Sequence, residues 1–255
     1  MEHDWWTRFF DADYLRLWAG FLTPERTARE VEGIWSMLDL NPGARVLDAP
    51  CGYGRIARGL VERGASVLGV DASDVQLARA EADRGDIAPD RLRYLRHDLR
   101  RSLDEGGFDA ALNVYSSIGY IDEEDDVAVL RTLCGALRPG GLLVLETTHR
   151  DLTAAMISRG APPAMRYPDG TLLIEEPKLN AITGRVDTCW YWSGPGGSGQ
   201  KAASLRMYTI TELVALIARA GLRFRSAYAG FSTDPFIATG PMMGGRVSLL
   251  AERPL

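Results

Sequence analysis

Asp48, Gly52, Gly54, Asp71 and Asp98 are the residues whose types and spacing could do chemistry together. Asp48 lies in the short apolar run 45–49, Gly52 and Gly54 follow at once, and Ile56 to Leu60 opens a helical face. That order predicts a buried strand, a glycine turn and a helix start, with free amides that would favour an anionic group. Asp71 ends the next apolar run, about twenty residues past Gly52, where a carboxylate can accept both hydroxyls of a ribose. Because Asp71 and Ser73 also precede the helical stretch 75–84, a helix cap is the competing reading. Asp98 follows a third strand, 92–97; it suits an exocyclic amine, with a turn carboxylate as the alternative. Gly52-x-Gly54-x-x-Ala57 alone would pass for a dinucleotide fingerprint. Asp48 argues otherwise, since a carboxylate there repels a pyrophosphate and welcomes a ligand that carries cationic groups.

The stretch Asp48-Ala-Pro50-Cys-Gly52-Tyr-Gly54 resembles the first motif of the class I S-adenosylmethionine-dependent methyltransferases of small-molecule type, usually Asp-x-Gly-x-Gly-x-Gly. Pro50 replaces the first glycine; it tolerates the bend but has no amide to offer a ligand. The resemblance covers residues 44–150 well and 203–253 more loosely. It implies S-adenosyl-L-methionine as the cofactor and an α/β fold: a Rossmann-like, doubly wound, seven-stranded sheet with the last strand antiparallel. The implied cofactor contacts are Tyr14, Asp48, Pro50, Gly52, Gly54, Arg55, Asp71, Ala72, Asp98, Leu99, Asn113, Val114 and Tyr115. Asp98 would meet the adenine amino group and Leu99 its ring, while Asp48 balances the methionine ammonium. A nicotinamide-dependent oxidoreductase and a cofactor-binding relative that transfers no methyl remain the alternatives.

The elements that must position these residues fall into four stretches. Residues 1–43 form a helical arm or lid, and 44–150 the cofactor core. Residues 151–202 read as an inserted antiparallel β cap for the acceptor, and 203–255 return to the sheet. The arm is rich in aromatics from Trp5 to Phe21 and either closes the core or covers the cofactor, bringing Tyr14 or Trp18 to the ligand. Cap strands are expected over 171–176, 178–181, 185–192 and 203–208, with a break at Pro162-Pro163 and a Gly-rich turn before the last. Arg138 to Gly141 reads as a sharp turn. Trp190 and Trp192 share one strand face, either toward the acceptor or as the core of the cap. Phe236, Met242 and Met243 ride on a loop over 231–245. The acceptor contacts are therefore expected from Trp18, Tyr120, His149, Trp190, Trp192 and Phe236. Methyl transfer from a sulfonium is an in-line displacement that needs alignment first and a base only for a protonated acceptor. His149, just past strand five, is the candidate base, with an ordinary capping histidine as the alternative. Tyr115 and Tyr120 are its substitutes, whereas His97 and His3 are poorly placed.

Composition narrows the class. The net charge of −5 disfavours nucleic acid as the main partner, and the arginines between 91 and 101 read as a solvated strand edge. No apolar run reaches membrane-span length and Met1–Phe10 does not resemble a secretory signal, so the cytoplasm is expected. Cys51, Cys134 and Cys189 lack ligand spacing, and no metal is expected. The reading is a natural-product type of N- or O-methyltransferase, with carbon as a third acceptor atom, acting on a small molecule as a monomer or homodimer.

Overall fold

A computed structural model describes residues 5–160, 163–236 and 245–255; His3, Pro162, Met242 and Met243 lie outside the described residues. In chain order the helices are α1 (Trp6–Phe9), α2 (Ala12–Ala19), α3 (Pro24–Met37), α4 (Arg55–Glu62), α5 (Asp74–Arg84), α6 (Glu123–Ala136), α7 (Arg150–Ser158) and α8 (Ile210–Arg219). The strands are β1 (Arg45–Asp48), β2 (Ser66–Asp71), β3 (Leu92–Arg96), β4 (Phe108–Asn113), β5 (Leu137–Thr148), β6 (Ala164–Arg166), β7 (Leu172–Asn180), β8 (Arg185–Gly194), β9 (Gly197–Arg206), β10 (Arg223–Ala229) and β11 (Arg246–Glu252).

Seven strands make one sheet in the order β10-β11-β5-β4-β1-β2-β3, in which β11 runs antiparallel to both its neighbours. Successive residues of a strand face opposite ways, so Val46 and Leu47 feed different layers. Leu47, Leu143, Leu145 and Leu249 pack with α6 and α8, while Val46, Val144 and Leu250 pack with α3 and α4. Helices on both faces leave the carboxyl ends of the parallel strands as the natural ligand edge.

Local signals set the helix starts. Thr23 caps α3, accepting from the Arg26 amide at 3.3 Å, with Pro24 in the first turn. Thr209 and Glu212 form a reciprocal capping box on α8.

The second sheet, β6-β7-β8-β9, is the expected antiparallel cap with altered strand limits. β7 runs unbroken through Pro177 and pairs with β8 from Leu172 to Asn180, so the two short strands expected over 171–181 are one. The Gly-rich turn shrinks to a hairpin at Gly194 and Gly197, and β9 pairs with β8 to Arg206. The cap therefore runs past the boundary expected at residue 202. Arg138 to Gly141, expected as a turn, extends β5 because Gly140 donates to the Arg253 carbonyl and Arg253 to that of Gly141, both at 2.9 Å.

The arm and the cap share a third apolar cluster, separate from the two core layers: Trp5, Phe9 and Leu17 from the arm against Leu173, Trp190 and Trp192. Polar ties reinforce it. The Trp5 indole donates to the Tyr120 carbonyl at 3.2 Å, and Lys201 donates to the Phe9 carbonyl at 3.2 Å while pairing with Asp11.

Candidate active site

A cavity of about 780 Å³ opens beyond the ends of β1, β2 and β4, and the arm covers it. Its floor is the glycine turn. Gly52 and Gly54 take left-handed φ values of 54° and 75°, which side chains rarely adopt. The Gly52 amide donates to Asp71 Oδ2 and the Ser73 amide to Asp71 Oδ1, both at 2.8 Å. Asp71 thus stitches the turn to the end of β2, while the Ser73 hydroxyl caps α5 by accepting from the Gln76 amide at 3.3 Å. Capping belongs to Ser73, which leaves Asp71 on the cavity wall.

Two charged groups at this floor each keep one atom without a partner among the described residues. Asp48 is 1% exposed, and its Oδ2 has no hydrogen-bond partner among the described residues. Burial pushes its pKa up to about 7, against the pull of Arg55 and with Asp71 adding to the rise. Arg55 opens α4 and turns its Nη1 to Glu30 Oε2 at 2.6 Å and Thr27 Oγ1 at 3.2 Å. Its Nη2 is buried without a partner. Burial alone would raise the Glu30 pKa, but Arg55 and the Tyr115 hydroxyl outweigh it and hold the carboxyl below the ordinary range. A buried anion and a buried guanidinium, each with an unused atom, face one cavity.

The family model described as a methyltransferase domain matches residues 46–141. The chain is 30% identical over 174 residues to glycine N-methyltransferase of Homo sapiens, an alignment covering 61% of this chain and 58% of the relative. The chain thus spans little more than half the length of the curated relatives it matches. Among solved structures, the CcbJ methyltransferase from Streptomyces caelestis superposes with a TM-score of 0.78 at 18% identity, covering 98% of each chain. SAM-bound CalS10, an amino pentose methyltransferase from Micromonospora echinaspora, gives 0.69 at 19% identity, over 94% of this chain and 96% of that one. The fold is that of these methyltransferases.

The cavity gathers Tyr14, Trp18, Asp48, Pro50, Gly52, Arg55, Asp71, Ala72, Asp98, Leu99, Val114, Tyr115 and Tyr120. Other expected residues lie elsewhere. Gly54 is the N-cap of α4, and Asn113 is buried with its Nδ2 donating to the Ala49 carbonyl at 3.1 Å, so both shape the turn from behind. Trp190 and Trp192 belong to the cluster between arm and cap rather than to the wall, Trp190 lying nearly parallel to Tyr14 at 6.0 Å.

His149, expected as a base at the ligand edge, does not line the cavity: it is 1% exposed and stands edge-on to Phe236 at 5.7 Å. Burial lowers its pKa, and both ring nitrogens lack partners among the described residues. Phe236 packs on the core beside it and is off the cavity too. The physical reason is strand order, since β5 is separated from β1 by β4. Tyr115 lines the wall, but its hydroxyl is committed to Glu30, which removes it as a proton acceptor for a substrate. Asp98 is engaged by Arg100, whose Nη2 reaches Oδ2 at 2.6 Å and whose amide reaches Oδ1 at 3.0 Å. Arg100 hydrogen bonds hold its pKa below the ordinary range.

The sequence reading missed Glu30, Glu146 and Gln76. Glu30 carried a usable signal: it falls on the stripe of Ile34 and Met37 at positions i, i+4 and i+7, where an acid needs a partner.

S-adenosylmethionine fits the atoms left unused. Asp48 Oδ2 suits an ammonium, Arg55 Nη2 a carboxylate, and Gln76, 3% exposed on the same wall, has an unpartnered Nε2. The cavity volume is in the range of small-molecule pockets, about 300–1,000 Å³. Because Asp48 must be ionised to meet an ammonium, S-adenosylhomocysteine binding will weaken as pH falls below about 7, approaching about tenfold per pH unit, and will release protons there. The Asp48→Asn variant will bind roughly ten- to a hundredfold more weakly with a flattened profile. Calorimetry between pH 5.5 and 8 checks this, and an unchanged slope in the variant would refute the role of Asp48.

Proposed function

We propose that the chain transfers a methyl group from S-adenosylmethionine to a nitrogen of a small-molecule amine, with an oxygen acceptor as the neighbouring chemistry. The observation carrying this reading is the pair of unused buried atoms, Asp48 Oδ2 and Arg55 Nη2, on one cavity wall. Together they match the ammonium and carboxylate of an amino acid, which a pyrophosphate-bearing nicotinamide cofactor does not offer. When bound, S-adenosylmethionine supplies a methyl group on a sulfonium, open to in-line attack.

In this reading Asp48 and Arg55 hold the amino-acid end, and Asp71 offers its remaining lone pairs to the ribose diol. Leu99 packs on the ring at the adenine end, where Asp98 meets the amino group while sharing its carboxylate with Arg100. Tyr14, Trp18 and Tyr120 form the aromatic roof that excludes water and orients the acceptor. Burial raises the pKa of Tyr14 and Tyr120, so both hydroxyls stay protonated and can orient an acceptor without removing its proton. An amine that arrives with its lone pair free needs no protein base, consistent with His149 lying off the wall. Glycine N-methyltransferase is named for a nitrogen acceptor and CalS10 for an amino pentose, and the natural-product setting of CalS10 suggests a similar role here.

The test is untargeted mass spectrometry of a cell extract incubated with the protein and a deuterated methyl donor. A mass shift of one labelled methyl on an amine is expected. Label on oxygen or carbon would move the acceptor atom. Donor binding without any labelled product would favour a non-methylating relative, and NADH binding in place of S-adenosylhomocysteine would overturn the reading. Among the described residues no cluster of metal-ligating side chains occurs, and no described helix is long and apolar enough to cross a membrane.

A further inference from the structure

Tyr115 and Ser116 leave β4 with φ values of 63° and 58°, two consecutive side-chain-bearing residues in the left-handed region. Such a backbone persists only where its surroundings over-determine it. Here one residue does most of that. Glu146, fully buried on β5, accepts from the Tyr115 amide through Oε2 at 2.7 Å and from the Ser116 amide through its own carbonyl at 3.1 Å. Arg246 on β11 pairs with both Glu146 carboxylate oxygens, its Nη2 reaching Oε2 at 2.8 Å, and the same Nη2 reaches Ser116 Oγ at 3.2 Å.

This brace aims the Tyr115 ring. The Arg246 guanidinium lies 5.1 Å from the ring centroid and the Arg55 guanidinium 4.5 Å, while Phe231 stacks on it at 5.6 Å. Its hydroxyl donates to Glu30, which also pairs with Arg55. Arg55 is therefore held by Glu30 and Thr27 through Nη1 and by the Tyr115 ring, and these contacts leave its buried Nη2 without a partner on a residue that lines the cavity.

We propose that Glu146 and Arg246 are positioning residues for the amino-acid end of the donor, acting through Tyr115 on Arg55; this rests on the methyltransferase reading. Neither residue lines the cavity, so any effect on binding must travel through the Tyr115 backbone and ring. The ligand part that Arg55 would meet is the carboxylate, whereas Asp71 and Asp98, assigned to the adenosine part, follow β2 and β3, which β4 and β1 separate from β5 and β11. Loosening the brace should cost affinity only for ligands that carry the amino-acid end.

Calorimetry with two probes tests this: S-adenosylhomocysteine, which has that end, and 5′-methylthioadenosine, which lacks it. In Glu146→Gln, where Tyr115 keeps an acceptor but Arg246 loses its two-pronged pair, the S-adenosylhomocysteine Kd should rise about tenfold, and that of methylthioadenosine should change less than about twofold. Arg246→Lys, which retains the charge without the planar fork, should fall between wild type and Glu146→Gln. It carries the test alone if Glu146→Gln does not fold. Equal weakening of both ligands, or a lowered melting temperature with both affinities intact, would mean a merely structural brace and overturn the proposal. Wild-type protein that binds neither probe would instead sink the methyltransferase reading, and the inference with it.

Discussion

Glu30→Ala will destabilise the protein by about 3–5 kcal/mol, the usual consequence of removing one partner from a buried ion pair. Glu30 and Arg55 side chains are each 8% exposed, and their ion pair spans 2.6 Å. Without the carboxylate, Arg55 keeps, among the described residues, only Thr27 as a side-chain hydrogen-bond partner, and the Tyr115 hydroxyl loses its acceptor as well. A guanidinium cannot escape by releasing its proton, so the cost appears as lost folding free energy. Urea denaturation compares the variant with wild type, and a loss under about 1 kcal/mol would show that water reaches Arg55 freely. The pH dependence follows in sign. Because the folded-state pKa of Glu30 is depressed, its contribution is present above the ordinary carboxylate value of about 4.3 and is lost as pH falls through the depressed one.

Gly54→Ala should be nearly as damaging, at roughly 2–4 kcal/mol, combining overpacking with a left-handed alanine. A Cβ there would overlap the Tyr94 hydroxyl and stand 2.7 Å from Cζ of the same ring, at a φ of 75°. The ring cannot swing aside easily, since it also fills the space over Gly69, where a Cβ would meet Tyr94 Cδ1 at 2.5 Å. Either the chain loses stability or the turn shifts and S-adenosylhomocysteine affinity falls; denaturation and calorimetry together capture both. Tyr94→Phe is the control. It deletes a buried hydroxyl that has no partner among the described residues and should be close to neutral. Combined with Gly54→Ala it should recover part of the loss. No recovery would place the strain in the backbone rather than against Tyr94.

The core sheet was legible because its signals are local. Apolar runs end in Asp48 and Asp71, glycines mark the first turn, and the capping residues stand in sequence beside the helices they start. Those cues brought Asp48, Gly52, Asp71 and Tyr115 to one cavity. The errors lie where position depends on partners far along the chain. His149 follows β5 as expected, but the position of β5 in the sheet and the packing against Phe236 send its ring to the core. The Gly-rich stretch 194–199 reads as a loop until pairing with β8 turns most of it into strand. Glu146 and Arg246 stand 100 residues apart and meet only because β11 is antiparallel to β5. Nothing in either neighbourhood announces the other.

The apolar cluster shared by arm and cap has a consequence for exchanging parts between enzymes of this kind. Trp5, Phe9 and Leu17 are covered by Leu173, Trp190 and Trp192, from a segment more than 150 residues later in the chain. A hybrid that imports a foreign cap while retaining its native first twenty residues would juxtapose two indole-rich surfaces never selected to fit. The transplantable piece is the two segments together, exchanged as one unit.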